Sequence, residues 1–451
     1  MTDASYSPSN WRKPMGLMDR AARRVVARRL DGLHRGTVTL TEPSGANEFG
    51  ESADLSATIR VNRSRFFRDT VLGGTMSVGE SYLRGDWDCD DLTSLFRIFV
   101  RNSHATSRLD SGLARLAGWS HRFFHWLRAN TRAGSRRNIE AHYDLGNEFF
   151  GLWLDETLAY SSGIFPTRGS SLREASQEKF DRVCRKLDLR PVDQVLEIGS
   201  GWGGFAIHAA RHYGCQVTTT TISQEQFVVA RERIAAAGLA GRVKLLNQDY
   251  RDLRGQYDKL VSIEMIEAVG YRHFDSYFRQ CGQLLRPDGS FVLQAIVMPE
   301  RGYHQYVRSV EFLQRYVFPG GCLPSLGAIL DSVARTSDLR FVGAEDFAPH
   351  YAETLRRWRQ AFQQRLADVR RLGYSETFIR LWNYYLCYCE AAFEERHIGL
   401  LQIQFDKPLC RRDAIPAGLA ARGRVARVAS PEVHAEWGAD GPENIFEGVI
   451  R

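Results

Sequence analysis

Residues Val192-Asp193-Gln194-Val195-Leu196-Glu197-Ile198 read as a short apolar strand, and Gly199-Ser200-Gly201-Trp202-Gly203-Gly204 as a turn that runs at once into a helix. This junction constrains the fold more than any other stretch. Glycine at Gly199, Gly201 and Gly203 lets the backbone bend sharply and meet a ligand with no Cβ in the way, and the N–H groups opening the following helix point at the same place. Downstream, strand-like segments at Cys215–Thr220, Val243–Leu246, Lys259–Met265, Ser290–Ile296, Arg340–Gly343 and Leu400–Phe405 alternate with helical ones. Such alternation predicts an α/β protein with a doubly wound, mostly parallel sheet, whose ligands sit at the carboxyl ends of the strands.

Those ends carry the chemistry: Glu197 to Gly204, Thr221 to Gln226, Asp249-Tyr250, Glu264 to Glu267 and Gln294 to Ile296. A Gly-x-Gly-x-Gly turn alone is shared by binders of dinucleotides and of S-adenosylmethionine. A dinucleotide site wants an acid at the end of the second strand to hold the ribose hydroxyls. Here that strand runs into Thr221-Ile222-Ser223-Gln224-Glu225-Gln226, hydroxyls and amides instead, which weakens the dinucleotide reading.

A chain of 451 residues has room for a second, smaller unit. Its formal charge of +7 suits an anionic surface, either nucleic acid or anionic lipid, and the arginines concentrate in the first third. Eight cysteines without a C-x-x-C pair predict a reducing cytoplasm and no metal site, and no apolar run reaches the roughly 20 residues that span a bilayer.

The first 15 residues are polar and aperiodic. From 17 to 34 the spacing predicts a helix with Leu17, Ala21, Val25 and Leu33 on one face and arginines around the rest; a solvated helix on its own domain and a membrane-docking one both fit. Strand-like pieces at Thr37–Leu40, Ala57–Val61 and Ser77–Tyr82 suggest a small mixed α/β unit, followed by helices at Leu92–Val100 and Leu113–Leu127. Arg132 to Arg137 reads as a linker, which divides the chain into 1–137 and 138–451. The ring, amide and hydroxyl groups from Ala141 to Ser162 are expected to form a lid, and the aromatic helix with Trp382, Tyr384, Tyr385, Tyr388 and Phe393 to be core. The tail after Arg412 carries no functional signal.

Six motifs in this order identify a resemblance: His142-Tyr143-Asp144-Leu145-Gly146-Asn147, Leu196 to Gly203, Thr221 to Gln226, Gln248-Asp249-Tyr250-Arg251-Asp252, Glu264-Met265-Ile266-Glu267-Ala268-Val269-Gly270 and Phe318-Pro319-Gly320-Gly321-Cys322-Leu323-Pro324. From about Gly79 to Phe405 the chain resembles the cyclopropane-fatty-acyl-phospholipid synthases, class I S-adenosylmethionine methyltransferases related to the mycolic acid cyclopropane synthases. The resemblance implies a Rossmann-like methyltransferase sheet. It places the cofactor's methionine part at Tyr160, Ser161 and the glycine turn of Gly199, Gly201 and Gly203, its ribose at Thr221 and Gln226, and its adenine side at Asp249 and Tyr250, with Glu197 and Ile222 also among the cofactor-binding residues.

It further implies methyl transfer to a cis alkene of a phospholipid acyl chain, then proton loss and ring closure, with bound bicarbonate as base. The matching catalytic positions are Glu267 and Tyr351, with backbone from Ser162 and Ile296. Two departures stand out: Ser162 replaces a cysteine, and Gln294 replaces a histidine. Glutamine can donate a hydrogen bond but carries neither proton nor charge, so a methylene- or methyl-branched product is the alternative outcome. Tyr303, Phe312, Phe318, Gly320 and Cys322 fall in the implied acyl channel. The expected partner is a phospholipid membrane surface on the cytoplasmic side, with a homodimer also expected. A nucleic-acid methyltransferase is favoured by charge alone, since Glu264-Met265-Ile266-Glu267 stands where an Asn/Asp-Pro-Pro-Tyr type loop would be.

Overall fold

The computed structural model describes residues 15–51, 54–103 and 146–411. Its larger sheet has seven strands: β5 (Gln194–Ile198), β6 (Gln216–Thr221), β7 (Val243–Asn247), β8 (Tyr257–Ile263), β9 (Leu285–Val297), β10 (Arg340–Asp346) and β11 (Gly399–Asp406). Their order is β10-β11-β9-β8-β5-β6-β7. From β7 through β9 neighbours are parallel, while β11 runs antiparallel between β9 and β10. Strand order reverses between β5 and β8, so a crevice opens at their carboxyl ends, where the glycine turn lies. Val195, Leu196, Leu260, Val261, Phe291 and Leu293 are fully buried, as strands covered by helices on both faces require. The α/β fold, the glycine turn and all six downstream strands stand where the sequence predicts them.

The helix Leu172–Lys186 that leads into β5 starts at a capping box in which Ser171 and Glu174 satisfy each other's backbone N–H groups. It delivers Lys179 into the interior, fully buried. The helix Glu376–Glu394, nineteen residues long, packs its aromatic side against the helix Ala348–Gln364 on one flank and against Leu92–Arg101 on the other.

A second, four-stranded sheet is built from β1 (Gly36–Glu42), β2 (Gly45–Glu51), β3 (Ser56–Val61) and β4 (Trp87–Cys89), ordered β2-β1-β3-β4. Two expectations in this region change. The first helix, Leu17–Leu30, buries Ala22, Val26 and Leu30, and Leu33 beyond it, whereas Leu17 is 83% exposed; the apolar face lies one residue round from the expected one. Ser77–Tyr82, expected as a strand, belongs to the helix Arg65–Leu83. Its buried positions Met76, Gly79 and Tyr82 recur every three residues, and a Cβ on Gly79 would come 2.5 Å from the Phe312 ring. That close approach selects the glycine. The helix expected at Leu113–Leu127, the linker Arg132–Arg137, the boundary at 137/138, the start of the lid segment and the tail after Arg412 lie outside the described residues.

Arginines tie this region to the rest. Arg380 bonds Asp88 and the carbonyls of Tyr82 and Trp87, and Arg97 and Arg101 both hold Glu395.

Candidate active site

The crevice holds about 180 Å³ of internal space. Ten residues predicted to hold a cofactor line it: Tyr160, Ser161, Glu197, Gly199, Gly201, Thr221, Ile222, Gln226, Asp249 and Tyr250. Gly203 does not; at φ 85° it caps the helix Gly204–Tyr213, so its conformation shapes the turn from behind. Gly199 and Ser200 donate their N–H groups to the Thr220 carbonyl, fastening the turn to the end of β6. Thr221 Oγ1 donates to Gln226 Oε1 at 3.0 Å, which turns the amide NH₂ of Gln226 outward as a donor for a ribose oxygen. Asp249 accepts from the backbone and guanidinium of Arg251, which fixes its carboxylate, and Arg251 also lies over the Tyr250 ring.

Glu197 is 2% exposed and accepts a 2.6 Å bond from Thr219; burial pushes its carboxyl up to about 8. Lys179 Nζ donates to Ser161 Oγ at 2.6 Å, and burial lowers its ammonium to about 8. These donor and acceptor groups, together with the aromatic wall of Tyr160, fit an S-adenosylmethionine molecule without adding an acid at the ribose. The expected lid is, over its described part, a packed wall. Phe149 and Phe150 are fully buried among Trp153, Trp202 and Trp382, and only Leu158 to Ser161 reach the crevice.

Beside the crevice lies a cluster centred on a residue that the sequence does not single out as catalytic. Glu264 follows β8 in the left-handed region at φ 49°. Its Oε1 accepts from Ser162 N at 2.9 Å and Gln294 Nε2 at 2.7 Å, and its Oε2 accepts from Tyr351 Oη at 2.6 Å. Gln294 cannot turn its amide round. Its Oε1 accepts from Gln402 Nε2 on the neighbouring strand, and Gln402 in turn accepts from Lys186 Nζ. A relay with a cation at its far end therefore presents an N–H to Glu264.

Glu267 and Tyr351 line one cavity but bond different partners. Glu267 Oε1 accepts from Ile296 N at 2.7 Å while its buried Oε2 has no hydrogen-bond partner. Burial, then the charge of Glu264, pushes Glu267 up to about 8. Glu264 is raised too by burial, opposed by Tyr351, Lys179, Gln294 and Ser162. With three donors against one, the charged form is favoured more at Glu264 than at Glu267. Tyr351, pushed far up by burial and by Glu264, stays a donor.

Of the expected catalytic residues, Ser162, Gln294 and Tyr351 thus converge on Glu264, while Ile296 pairs with Glu267. Glu264 was legible only as a charge at the end of an apolar strand.

A second cavity of about 210 Å³ shares Tyr160, Glu264 and Ala268 with the crevice. Its walls are mostly apolar, among them Ile296, Met298, Leu313, Phe318, Pro319, Cys322, Leu355, Ala392 and Phe393, while Glu267, Tyr306, Glu311, Gln314, Tyr351, Tyr385, Tyr388 and His397 add polar atoms to the lining. Phe318 and Cys322 line it as expected, whereas Tyr303, Phe312 and Gly320 do not. Phe312 packs on Tyr384 and Tyr316 in the core beneath the smaller sheet, Tyr303 packs beside Tyr306, and Gly320 makes a turn at φ 77°. The helix Glu376–Glu394 is core as expected, with Trp382, Tyr384, Tyr385 and Phe393 buried, and its Tyr385, Tyr388, Cys389, Ala392 and Phe393 also line this cavity. Helical periodicity shows that a face is apolar but not whether it meets side chains or a cavity.

Comparison with known proteins agrees with this architecture. Residues 130–403, more than half of the chain, match the family described as mycolic acid cyclopropane synthetase. The chain is 40% identical over 347 residues to the tuberculostearic acid methyltransferase UfaA1 of Mycobacterium tuberculosis, covering 73% of this chain and 78% of that protein. It is 36% identical over 366 residues to the cyclopropane-fatty-acyl-phospholipid synthase of Escherichia coli K12, covering 78% and 88%. The solved mycolic acid cyclopropane synthase CmaA1, complexed with SAH and CTAB, superposes with a TM-score of 0.57 at 28% identity, over 60% of this chain and 98% of that one. The chain therefore belongs to the mycolic acid cyclopropane synthetase family of S-adenosylmethionine-dependent methyltransferases.

Proposed function

We propose that the protein methylates the cis double bond of an unsaturated phospholipid acyl chain and removes a proton to leave a cyclopropane ring. The observation that carries this reading is the meeting of a polar cofactor crevice and an apolar cavity at Tyr160, Glu264 and Ala268. When bound, S-adenosylmethionine supplies an electrophilic methyl group on a sulfonium. Tyr160, Ser161, Glu197, Gly199 and Gly201 hold its methionine part, Thr221, Ile222 and Gln226 its ribose, and Asp249 and Tyr250 its adenine. An alkene is a weak nucleophile, so the chain's contribution is alignment and exclusion of water. Leu313, Phe318, Leu355 and Phe393 provide that dry passage for the hydrocarbon. The Tyr160 ring, fixed by a 2.8 Å bond to Tyr385 Oη and packed on Trp358, presents an aromatic face to a developing carbocation.

Residues 138–451 act as the catalytic domain and 1–137 as a membrane-surface domain on the cytoplasmic side. In support, the helix Leu17–Leu30 exposes Leu17 and Met18 beside Arg20, Arg24 and Arg28, an apolar tip with cations that suits anionic headgroups. No helix among the described residues is long and apolar enough to cross a membrane. A branched product is the second reading, favoured by Gln294 and by the likeness to the methyltransferase UfaA1.

The test is to incubate the protein with methyl-labelled S-adenosylmethionine and vesicles of cis-unsaturated phospholipid, with DNA and RNA in parallel. Label is expected in the acyl chains; label in nucleic acid alone overturns the reading.

A further inference from the structure

The family resemblance assigns the proton-accepting step to bicarbonate held by Tyr351, Glu267 and the backbone of Ser162 and Ile296, with residue 294 alongside. In this chain the donors of that set are already engaged by its own carboxylates. Ser162 N, Gln294 Nε2 and Tyr351 Oη converge on Glu264, and Ile296 N is held by Glu267. A free anion would have to displace Glu264 from three bonds, so the residues present do not fit one.

We propose that Glu264 is itself the base, a carboxylate built into the chain at the place a dissociable anion would occupy. Three features of the geometry carry this. Glu264 borders both the cofactor crevice and the apolar cavity, so its carboxylate lies where a transferred methyl and an alkene would meet. It is held by donors from three separate segments, which aims it. And it sits at φ 49°, a conformation that disfavours a residue with a Cβ and that the surrounding contacts sustain. Gln294 belongs to the same arrangement. With the base supplied by the chain, position 294 needs a neutral donor to steer a carboxylate, and the Gln402–Lys186 relay fixes its amide in that sense.

The chemistry balances without another reactant. The alkene π pair bonds the incoming methyl carbon as the carbon–sulfur pair returns to sulfur, leaving a cation on the acyl chain. Glu264 takes a proton from that methyl carbon, and the C–H pair closes onto the cationic carbon as the last side of the ring. Carboxylate and cation become carboxylic acid and neutral ring, and solvent takes the proton once the product leaves.

This rests on the lipid-alkene reading, and the test separates the two. Turnover of cis-unsaturated phospholipid vesicles is measured in CO₂-free buffer with and without millimolar bicarbonate. The wild-type rate is expected to change less than about twofold, while Glu264→Gly loses about 100-fold or more and is partly rescued by bicarbonate. Glycine suits the positive φ, and SAH binding with thermal melting checks that the variant is folded. Isosteric Glu264→Gln is expected to be inactive and not rescued. As a readout apart from turnover, ¹³C-bicarbonate is expected to bind Glu264→Gly but not wild type by NMR. Wild-type lipid methylation that requires bicarbonate, or a Glu264→Gly variant at full rate in its absence, overturns the inference alone. Wild type that labels no lipid under either condition overturns the functional reading and the base with it.

Discussion

Tyr351 Oη donates to Glu264 Oε2 at 2.6 Å, joining the helix Ala348–Gln364 to the turn after β8 across 87 residues of sequence. A hydrogen bond to a charged group contributes about 1.5–3 kcal/mol, so this contact aims Glu264 and opposes the effect of burial on its ionisation. The Tyr351 ring stacks on Phe393 at 4.4 Å, which a phenylalanine would preserve. Tyr351→Phe is therefore expected to fold normally and to lose about 10-fold or more in kcat. Because the hydroxyl lowers the Glu264 pKa, its removal raises that pKa, and the acid limb of the kcat profile moves to higher pH. A lowered rate with an unmoved limb would assign Tyr351 to packing alone.

The apolar cavity yields a second prediction. Ala392 lines it from the helix Glu376–Glu394, where a larger side chain would occupy hydrocarbon space. Ala392→Phe is expected to retain SAH binding by calorimetry while its turnover on phospholipid vesicles falls by about 10-fold or more; overpacking typically costs about 1–3 kcal/mol of stability. Unchanged lipid turnover would remove this cavity from the reaction.

Glu197 makes stability pH-dependent. Burial raises its folded pKa from 4.5 to about 8, so its protonated form is the one the fold prefers. The contribution is complete below pH 4.5, is lost progressively as pH rises toward 8, and is flat above that. Every tenfold difference between the folded and unfolded ionisation constants corresponds to about 1.4 kcal/mol, so the loss is large enough to see by melting. Glu197→Gln keeps an acceptor for Thr219 and does not titrate. Thermal unfolding followed from acid to mildly alkaline pH is expected to show wild type losing stability relative to the variant across that interval. Parallel curves would mean that the carboxylate ionises in place.

What could be read from residues alone divides along a physical line. The glycine turn at Gly199 to Gly203 and the threonine–glutamine pair at Thr221 and Gln226 were legible because local backbone and hydrogen-bonding chemistry dictate them. The cluster at Glu264 was not, since Ser162, Gln294 and Tyr351 come from segments far apart and only the sheet brings them to one carboxylate. The misplacement of Phe312 has the same origin: its partner Tyr384 lies in a different helix, and its tight fit against Gly79 is a tertiary fact. In the first helix the apolar residues are sparse among arginines, so a shift of one position between Leu17-Ala21-Val25 and Ala22-Val26-Leu30 could not be resolved by spacing.

Membrane contact is tested at the first helix. Leu17 is 83% and Met18 76% exposed, and Arg24 and Arg28 are exposed on the same helix. Near an anionic surface each basic residue contributes about 1 kcal/mol. Arg24→Glu with Arg28→Glu is expected to reduce sedimentation with anionic vesicles by about 10-fold or more, while Leu17→Ser with Met18→Ser weakens it less and leaves its salt dependence intact. Equal vesicle binding by all variants would place the lipid contact elsewhere.

The most direct measurement of the central claim uses S-adenosylmethionine carrying a trideuterated methyl group, with cis-unsaturated phospholipid vesicles and mass spectrometry of the recovered acyl chains. Methyl transfer followed by proton removal from the transferred carbon predicts a cyclopropane product that retains two of the three deuterium atoms. Acyl chains that retain all three, or that carry no deuterium at all, would contradict it.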